Sequence, residues 1–486
     1  MNSFNFHFIF KTSGFLLIIE SIFMMIATVI SFYYQEACSD GMLLSSVITI
    51  AGGIFFRILG TENYENPIGK RESFLVVALS WVVMSAFGML PFYLSGAIPD
   101  ITNAYFETMS GFSTTGSSIL LDIDSMPLGL LFWRSLTQWL GGMGIIVFAL
   151  ALLPMIGGNA SVLYDAETTG ITHERFQPRV TQIAKRIWGT YITITAILCF
   201  LLYLGPMNFF DSVCHAMSTM ATGGFSTKQA SIAYWNSPYT EYVLSFFMFI
   251  GGTNFALLYY VFKGRPKKLI RDEEFKWYAI ICIIFVVIIA SCLIFSGQIK
   301  NIEYAFRTSL FQVTSVITTT GFATVDYMNW GAFYTLSICL LMLFCACAGS
   351  TSGGIKIVRI IILCKNAVNE FKRQVHPNAI LPVRLNDQVI PIEVVTKILA
   401  FIFLYLAILI ISFLVLAFTG MGFEESVGAA ISCMGNVGPG LGSVGPSGHF
   451  ANVPDFSKWY LCFLMLTGRL ELFTVLSLFM PAFWKK

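Results

Sequence analysis

The sequence predicts an all-α membrane protein: an N-terminal two-helix hairpin followed by four helix–pore-loop–helix repeats around a pseudo-fourfold central pore. Three observations lead there. The chain of 486 residues is 56% hydrophobic and only 12% charged, with 46 Phe, whereas soluble domains carry about 25% charged residues. Apolar runs of about 20 residues recur along almost the whole length, the pattern of spanning helices rather than of a barrel. Between them, Thr/Gly-rich text returns four times: "FSTTGSSIL" (112–120), "MATGGFST" (220–227), "TTTGFATV" (318–325) and "GNVGPGLG" (435–442).

In chain order, the apolar spans fall near 12–34, 41–60, 73–95, 128–155, 187–205, 240–262, 277–297, 331–364, 392–420 and 456–483. Residues 12–34 exceed the apolar region of a signal peptide and lack a small-residue cleavage site, so they read as a retained transmembrane helix. Lys and Arg set the orientation. Most of the 29 stand on the side of the N-terminus, including Arg57, Arg175, Arg179, Lys185, the basic stretch 263–276, Lys365 and Lys372. The opposite side receives Arg134, Lys228, Lys300, Arg307 and Lys458, and Arg469 lies inside a span. Both termini are therefore expected in the cytoplasm, and the Thr/Gly stretches outside. A net charge of +2 gives no reason to expect nucleic-acid binding. The 11 cysteines, several inside apolar runs (Cys282, Cys292, Cys345, Cys347), form no C-x-x-C pair and indicate neither a disulfide framework nor a zinc site.

The segments between paired spans, 102–116, 208–224, 302–321 and 423–440, are too short and too mixed to cross a bilayer. Each reads as a short helix that begins with an acid, turns apolar and ends in a small-residue loop at a glycine. The acids are Glu107, Asp211, Glu303 and Glu424 with Glu425. Helix capping is their first reading; drawing cations to an external mouth is the other. Aligned on Gly116, Gly223, Gly321 and Gly438, the chain divides into a hairpin (1–66) and pore repeats at 67–160, 161–265, 266–375 and 376–486. Irregular backbone at membrane depth is tolerated where it lines a cavity or is buried in protein. Four such loops about an axis point carbonyls inward, and a carbonyl ring replaces the hydration shell of a cation.

On "SGFSTTG", "WLGGMGIIV" (139–147), "STMATGGFST" (218–227), "ACAGSTSGGIK" (346–356), "VHPNA" (375–379), "NVGPGLG" (436–442) and "GRLELFT" (468–474), the sequence resembles the Trk/Ktr/HKT superfamily of potassium transporters, most closely its bacterial TrkH type. The resemblance covers essentially the whole chain and implies one pore per chain in the bacterial inner membrane, with K⁺ bound in the filter and no organic cofactor. By it, the filter positions are Thr114, Thr115 and Gly116; Ala221, Thr222 and Gly223; Thr319, Thr320 and Gly321; and Asn436, Val437 and Gly438. The loops depart from the TVGYG of tetrameric potassium channels; each keeps one matching glycine, which implies weaker discrimination among K⁺, Na⁺ and Rb⁺.

Two spans carry interruptions, "FIGGTNFALLYY" (249–260) and "CACAGSTSGGIKIV" (345–358). Close helix packing through small residues accounts for Gly251 and Gly252. The run Gly349, Ser350, Thr351, Ser352, Gly353 and Gly354 is too dense in helix breakers to remain helical, and the resemblance implies a gating loop there, with Lys356 to hold it. Arg469 at bilayer depth costs at least ~2.5 kcal/mol; it reads as facing the pore, with a structural role near Glu471 as the alternative, although residues two apart do not face each other on a helix. The cytoplasmic loops contain no G-x-G-x-x-G and no Walker A motif, so nucleotide sensing falls to a partner. The resemblance implies a cytosolic nucleotide-binding subunit of TrkA type, docked on loops 263–276 and 365–391 of a homodimer, with His376 as a structural or interface residue. An H⁺- or Na⁺-coupled secondary transporter is the alternative, because broken spans also mark transporter sites. No H-E-x-x-H or G-x-S-x-G motif points to an enzyme.

Overall fold

The computed structural model describes residues 6–60, 70–156 and 180–484. The expected repeat boundaries near 66 and 160, and the basic residues Arg175 and Arg179, lie outside the described residues. Helices Phe6–Tyr33 and Ser39–Leu59 form the N-terminal hairpin. Several of their hydroxyls are satisfied inside the helix, as a solvent without water demands: Thr28 donates to the Met24 carbonyl at 2.9 Å and Thr49 to that of Ser45 at 2.8 Å.

Among the described residues, six unbroken helices are long and apolar enough to cross a membrane, and the bent pair Pro238–Gly251 and Phe255–Phe262 adds a seventh. The remaining expected spans are the 29-residue helix Leu128–Ile156 and two interrupted spans. Large apolar side chains such as Val29, Ile58, Ile283, Phe403 and Leu414 stand exposed on the outer faces, where lipid is the solvent.

The four re-entrant helices are Ile101–Phe112, Phe209–Met220, Ile302–Ile317 and Phe423–Gly435. Helices this short are marginal alone, and each is fixed by burial and by a cap. Asp100 accepts from the Asn103 N–H at 2.8 Å, Asn208 from that of Asp211 at 2.7 Å, and Asn301 from those of Glu303 and Tyr304 at 2.9 and 3.3 Å. The fourth begins at Gly422, whose N–H donates to the Glu425 carboxylate at 3.0 Å, the half of a capping box that glycine allows.

Three spans are broken, where the sequence led us to expect two. The first turns by 109° between Gly251 and Phe255, and Asn254 caps its continuation. Gly252 is closely packed as well: a Cβ there would stand 2.6 Å from the Tyr278 hydroxyl and 2.9 Å from Ala346. The second opens earlier than the Gly-rich run, at Phe344, and regains helix only at Ile357. Phe344–Cys345 and Ile355–Lys356 pair as a two-residue parallel ladder across its neck. The third break follows Arg469, at Glu471, whose φ of 65° stops the helix without a glycine or proline.

Replacing Asn301 with alanine leaves two first-turn N–H groups without their cap. The expected cost is ~1 kcal/mol, read as a lower thermal midpoint of the purified protein in detergent, with Asn301→Asp close to the parent.

Candidate functional site

All four short helices end in the same turn. In each, the amide just past a left-handed residue donates to a serine carbonyl five residues back: Thr115 to Ser110 at 2.9 Å, Gly223 to Ser218 at 2.9 Å, Thr320 to Ser315 at 2.8 Å and Val437 to Ser432 at 2.9 Å. This is a Schellman closure, which requires a left-handed residue just before it, normally glycine. Here the left-handed residues are Thr114, Thr222, Thr319 and Asn436, with φ of 54°, 53°, 57° and 54°. A β-branched threonine is an outlier in that region, at ~1–3 kcal/mol each.

Two residues on, the backbone turns left-handed again at Gly116, Gly224, Gly321 and Gly438. The second loop is therefore Thr222-Gly223-Gly224, one residue later than the expected Ala221-Thr222-Gly223. Ala221 is the right-handed helix cap, in the place held by Ser113 and Thr318 in the first and third loops.

The loops close on one another in circular order. A Cβ on Gly116 would overlap the Gly223 carbonyl oxygen, one on Gly224 that of Thr320, and one on Gly321 that of Val437. A Cβ on Gly438 would stand 2.8 Å from the Thr115 oxygen, which completes the ring. Glycine is thus demanded twice, by positive φ and by a neighbour's carbonyl.

Beneath the ring, the left-handed side chains meet the third repeat's interruption and Arg469. The Thr222 hydroxyl donates to that of Thr351 at 3.1 Å, and the Gly353 N–H donates to the Thr319 hydroxyl at 3.2 Å. Thr351 in turn donates to the carbonyls of Met220 and Gly251 at 3.1 and 3.2 Å. A Cβ on Gly353 would lie 2.7 Å from the Gly435 carbonyl. Arg469 donates to the Thr114 hydroxyl at 3.2 Å, to the carbonyls of Gly141 and Gly142 at 2.6 and 3.2 Å, and to that of Thr351. Lys356, buried, donates to the Ser352 carbonyl and to its hydroxyl at 2.9 Å, and the hydroxyls of Ser350 and Ser352 are 2.8 Å apart. Gly349 and Gly354 turn the segment with φ of 73° and 61°. Glu471 pairs with Arg359 at 2.5 Å.

Behind the first two loops lies a polar clamp whose members the sequence reading had either assigned to other roles or passed over. Glu107 is neither a cap nor an external attractor: it is buried in mid-helix, 2.6 Å from Arg134, and accepts from the Ile119 N–H at 2.9 Å and the Ser118 hydroxyl at 3.1 Å. Arg134 also donates to the Ser226 carbonyl at 2.9 Å and lies 3.6 Å over the Phe225 ring. His215 bridges the Asp211 carbonyl at 2.8 Å and the Ser226 hydroxyl at 3.0 Å, and Asp211 accepts from Thr227 at 2.5 Å. Arg134 and Gln138 sit one helical turn apart on Leu128–Ile156, a spacing that places both on one face. Above the ring, a cavity of about 90 Å³ opens among residues that include Gly116, Gly224, Gly321, Gly438, Arg134 and Lys228.

Fold and site define a multi-pass, pore-loop membrane protein in which four unequal repeats of one chain share an axis. The chain belongs to the TrkH family of cation transport proteins, which it matches over residues 42–486. It is 35% identical over 488 residues to the Trk system potassium uptake protein TrkH of Salmonella typhimurium, covering 99% of this chain and 100% of that protein. It is 34% identical over 482 residues to the potassium uptake protein TrkI of Halomonas elongata, covering 98% and 97%. The crystal structure of the potassium transporter TrkH from Vibrio parahaemolyticus superimposes with a TM-score of 0.90 at 32% identity, covering 99% of this chain and 100% of that one. The family is one of transporters and not of enzymes.

Glu107→Gln keeps the shape of the clamp but leaves Arg134 buried without its counter-charge. Breaking such a pair costs ~3–5 kcal/mol, so the variant is expected to unfold at a clearly lower temperature in detergent.

Proposed function

We propose that this protein is a potassium uptake transporter in which K⁺ permeates the four-loop ring, with Rb⁺ accepted as its close analogue. The observation that carries the reading is the closed series of carbonyls from Thr115, Gly223, Thr320 and Val437, each seated against the next loop's glycine. Oxygens so arranged replace a cation's hydration shell, and the four helix C-termini beneath add the negative ends of their dipoles. The filter positions are Thr114, Thr115 and Gly116; Thr222, Gly223 and Gly224; Thr319, Thr320 and Gly321; and Asn436, Val437 and Gly438. The names of the relatives, potassium uptake proteins, agree with this reading.

Gating falls to residues 349–354 with Lys356 and Arg469. The reading is supported by the hydrogen bonds that seat Thr351 and Gly353 against Thr222 and Thr319, and by the positive charge of Arg469 at Thr114. A cation placed there lowers the occupancy of permeating cations, and opening requires the segment to leave the base of the ring. The partner is a cytosolic nucleotide-binding subunit of TrkA type on a homodimer, with both termini cytoplasmic. In support, the two basic loops meet on one surface: Asn386 accepts from the Glu273 N–H at 2.8 Å and donates to Asp272 at 2.9 Å, while Lys365 pairs with Glu273 and donates to the Arg384 carbonyl at 2.8 Å. Phe371, Val375 and Ile380 stand exposed beside them.

Purified protein in liposomes loaded with KCl is expected to take up ⁸⁶Rb⁺ along its gradient, with external K⁺ competing far better than Li⁺. Uptake that demands a proton or sodium gradient overturns permeation in favour of ion-coupled transport. Arg469→Ala is expected to raise the initial rate several-fold at equal protein content; an unchanged rate removes Arg469 from the pathway. Gly321→Ala, whose Cβ meets the Val437 carbonyl, is expected to abolish uptake.

A further inference from the structure

The second loop lacks what the others have. Loops one and three carry threonine at the middle position, and each is tied to a hydroxyl at the helix cap: Thr115 to Ser113 at 2.7 Å and Thr320 to Thr318 at 2.8 Å. The fourth has Val437 there. Loop two has Gly223 in the middle and Ala221 at the cap, so both partners of that tie are missing. Two successive glycines, Gly223 and Gly224, also leave its backbone the softest of the four.

Gln138 fills the gap from another repeat. Its amide occupies the space of a Gly223 side chain: a Cβ on Gly223 would lie 2.6 and 2.7 Å from its Oε1 and Nε2. Nε2 donates to the Gly223 carbonyl at 2.6 Å, and Oε1 accepts from the Ser218 hydroxyl at 2.6 Å and the Phe225 N–H at 3.1 Å. The amide orientation is forced, because a backbone N–H only donates and a backbone carbonyl only accepts. Gln138 is fully buried. Among the described residues, the carbonyls of Thr115, Thr320 and Val437 accept no side-chain hydrogen bond, so Gly223 holds the one ring oxygen tethered from behind.

We propose that Gln138 is a positioning residue for ion discrimination, standing in for the side chain that Gly223 lacks and fixing the second loop's carbonyl in the ring. The inference rests on the permeation reading above. A tethered oxygen keeps its distance when a smaller ion enters; an untethered one on two glycines follows the smaller ion inward and favours it. Loss of the tether therefore lowers discrimination against Na⁺ more than it lowers the rate for Rb⁺.

The test is ⁸⁶Rb⁺ uptake in proteoliposomes, competed separately by K⁺ and Na⁺, with discrimination taken as the ratio of the two half-inhibitory concentrations. Gln138→Met, close in shape but without the three hydrogen bonds, is expected to lower that ratio about tenfold, the worth of roughly one good hydrogen bond. Gly223→Thr alone collides with Gln138 and is expected to lose uptake. Gln138→Ala with Gly223→Thr refills the same space and is expected to recover uptake and most of the ratio. The Gly223 φ is not positive, so threonine fits the backbone there. An unchanged ratio in Gln138→Met overturns the inference, as does a double variant no better than Gln138→Ala. Should Gln138→Ala fail to fold, the double variant must recover both yield and ratio for the inference to stand. Gly321→Ala separates the two levels: if it leaves uptake and ratio unchanged, the permeation reading itself fails.

Discussion

Everything in this molecule is organised around crowding at its axis, where the carbonyl of one loop takes the space that a side chain on the next would need. Four such contacts close a circle, and a circle of this kind tolerates little error in any quarter. The surrounding structure supplies the precision. Asx caps and the Glu425 carboxylate fix the starts of the short helices, and a Schellman bond to a serine carbonyl fixes each end. The left-handed threonines work against this economy, yet their hydroxyls are the groups that reach the segment below. Strain accepted at those positions is thus exchanged for a side chain aimed where glycine would offer none.

The region beneath the ring is an electrostatic compromise. The C-termini of four helices converge there, and the negative ends of their dipoles make an environment that welcomes positive charge. Thr351 takes up the carbonyl of Met220, at the end of one of these helices, and that of Gly251, while Arg469 takes up those of Gly141 and Gly142 inside the span Leu128–Ile156. The three span breaks supply the groups needed to do so. Gly251 lies at the first break, Thr351 within the second, and Arg469 just before the third, so irregular backbone at membrane depth is concentrated where buried protein groups satisfy it.

The hairpin, the re-entrant helices and the interrupted third repeat were legible because hydrophobic run length and breaker density report on bilayer crossing directly. The register of the second loop was not. Gly223 and Gly224 offer two alignments of equal merit in the text, and only the sign of φ distinguishes them. Threonine at a left-handed position contradicts the usual preference, so no reading by propensity finds it. The break at Glu471 was equally hidden, since "GRLELF" contains no helix breaker at that point; a half-buried pairing with Arg359 holds it instead. Glu107 was singled out for its place near a helix start, but the helix begins at Ile101 and puts it in the interior, facing Arg134. Gln138 looks like any polar residue of a long helix until the glycine opposite it is known.

One chain that contributes all four quarters also changes how the ring varies. In an assembly of identical subunits, any inherited substitution appears around the whole circumference at once. Here Asn436 and Pro439, Gly223 with Gln138, the segment 349–354 and Arg469 each occur a single time. Heredity can therefore retouch this ring one sector at a time, and a lesion in one sector can be answered by a change in its neighbour.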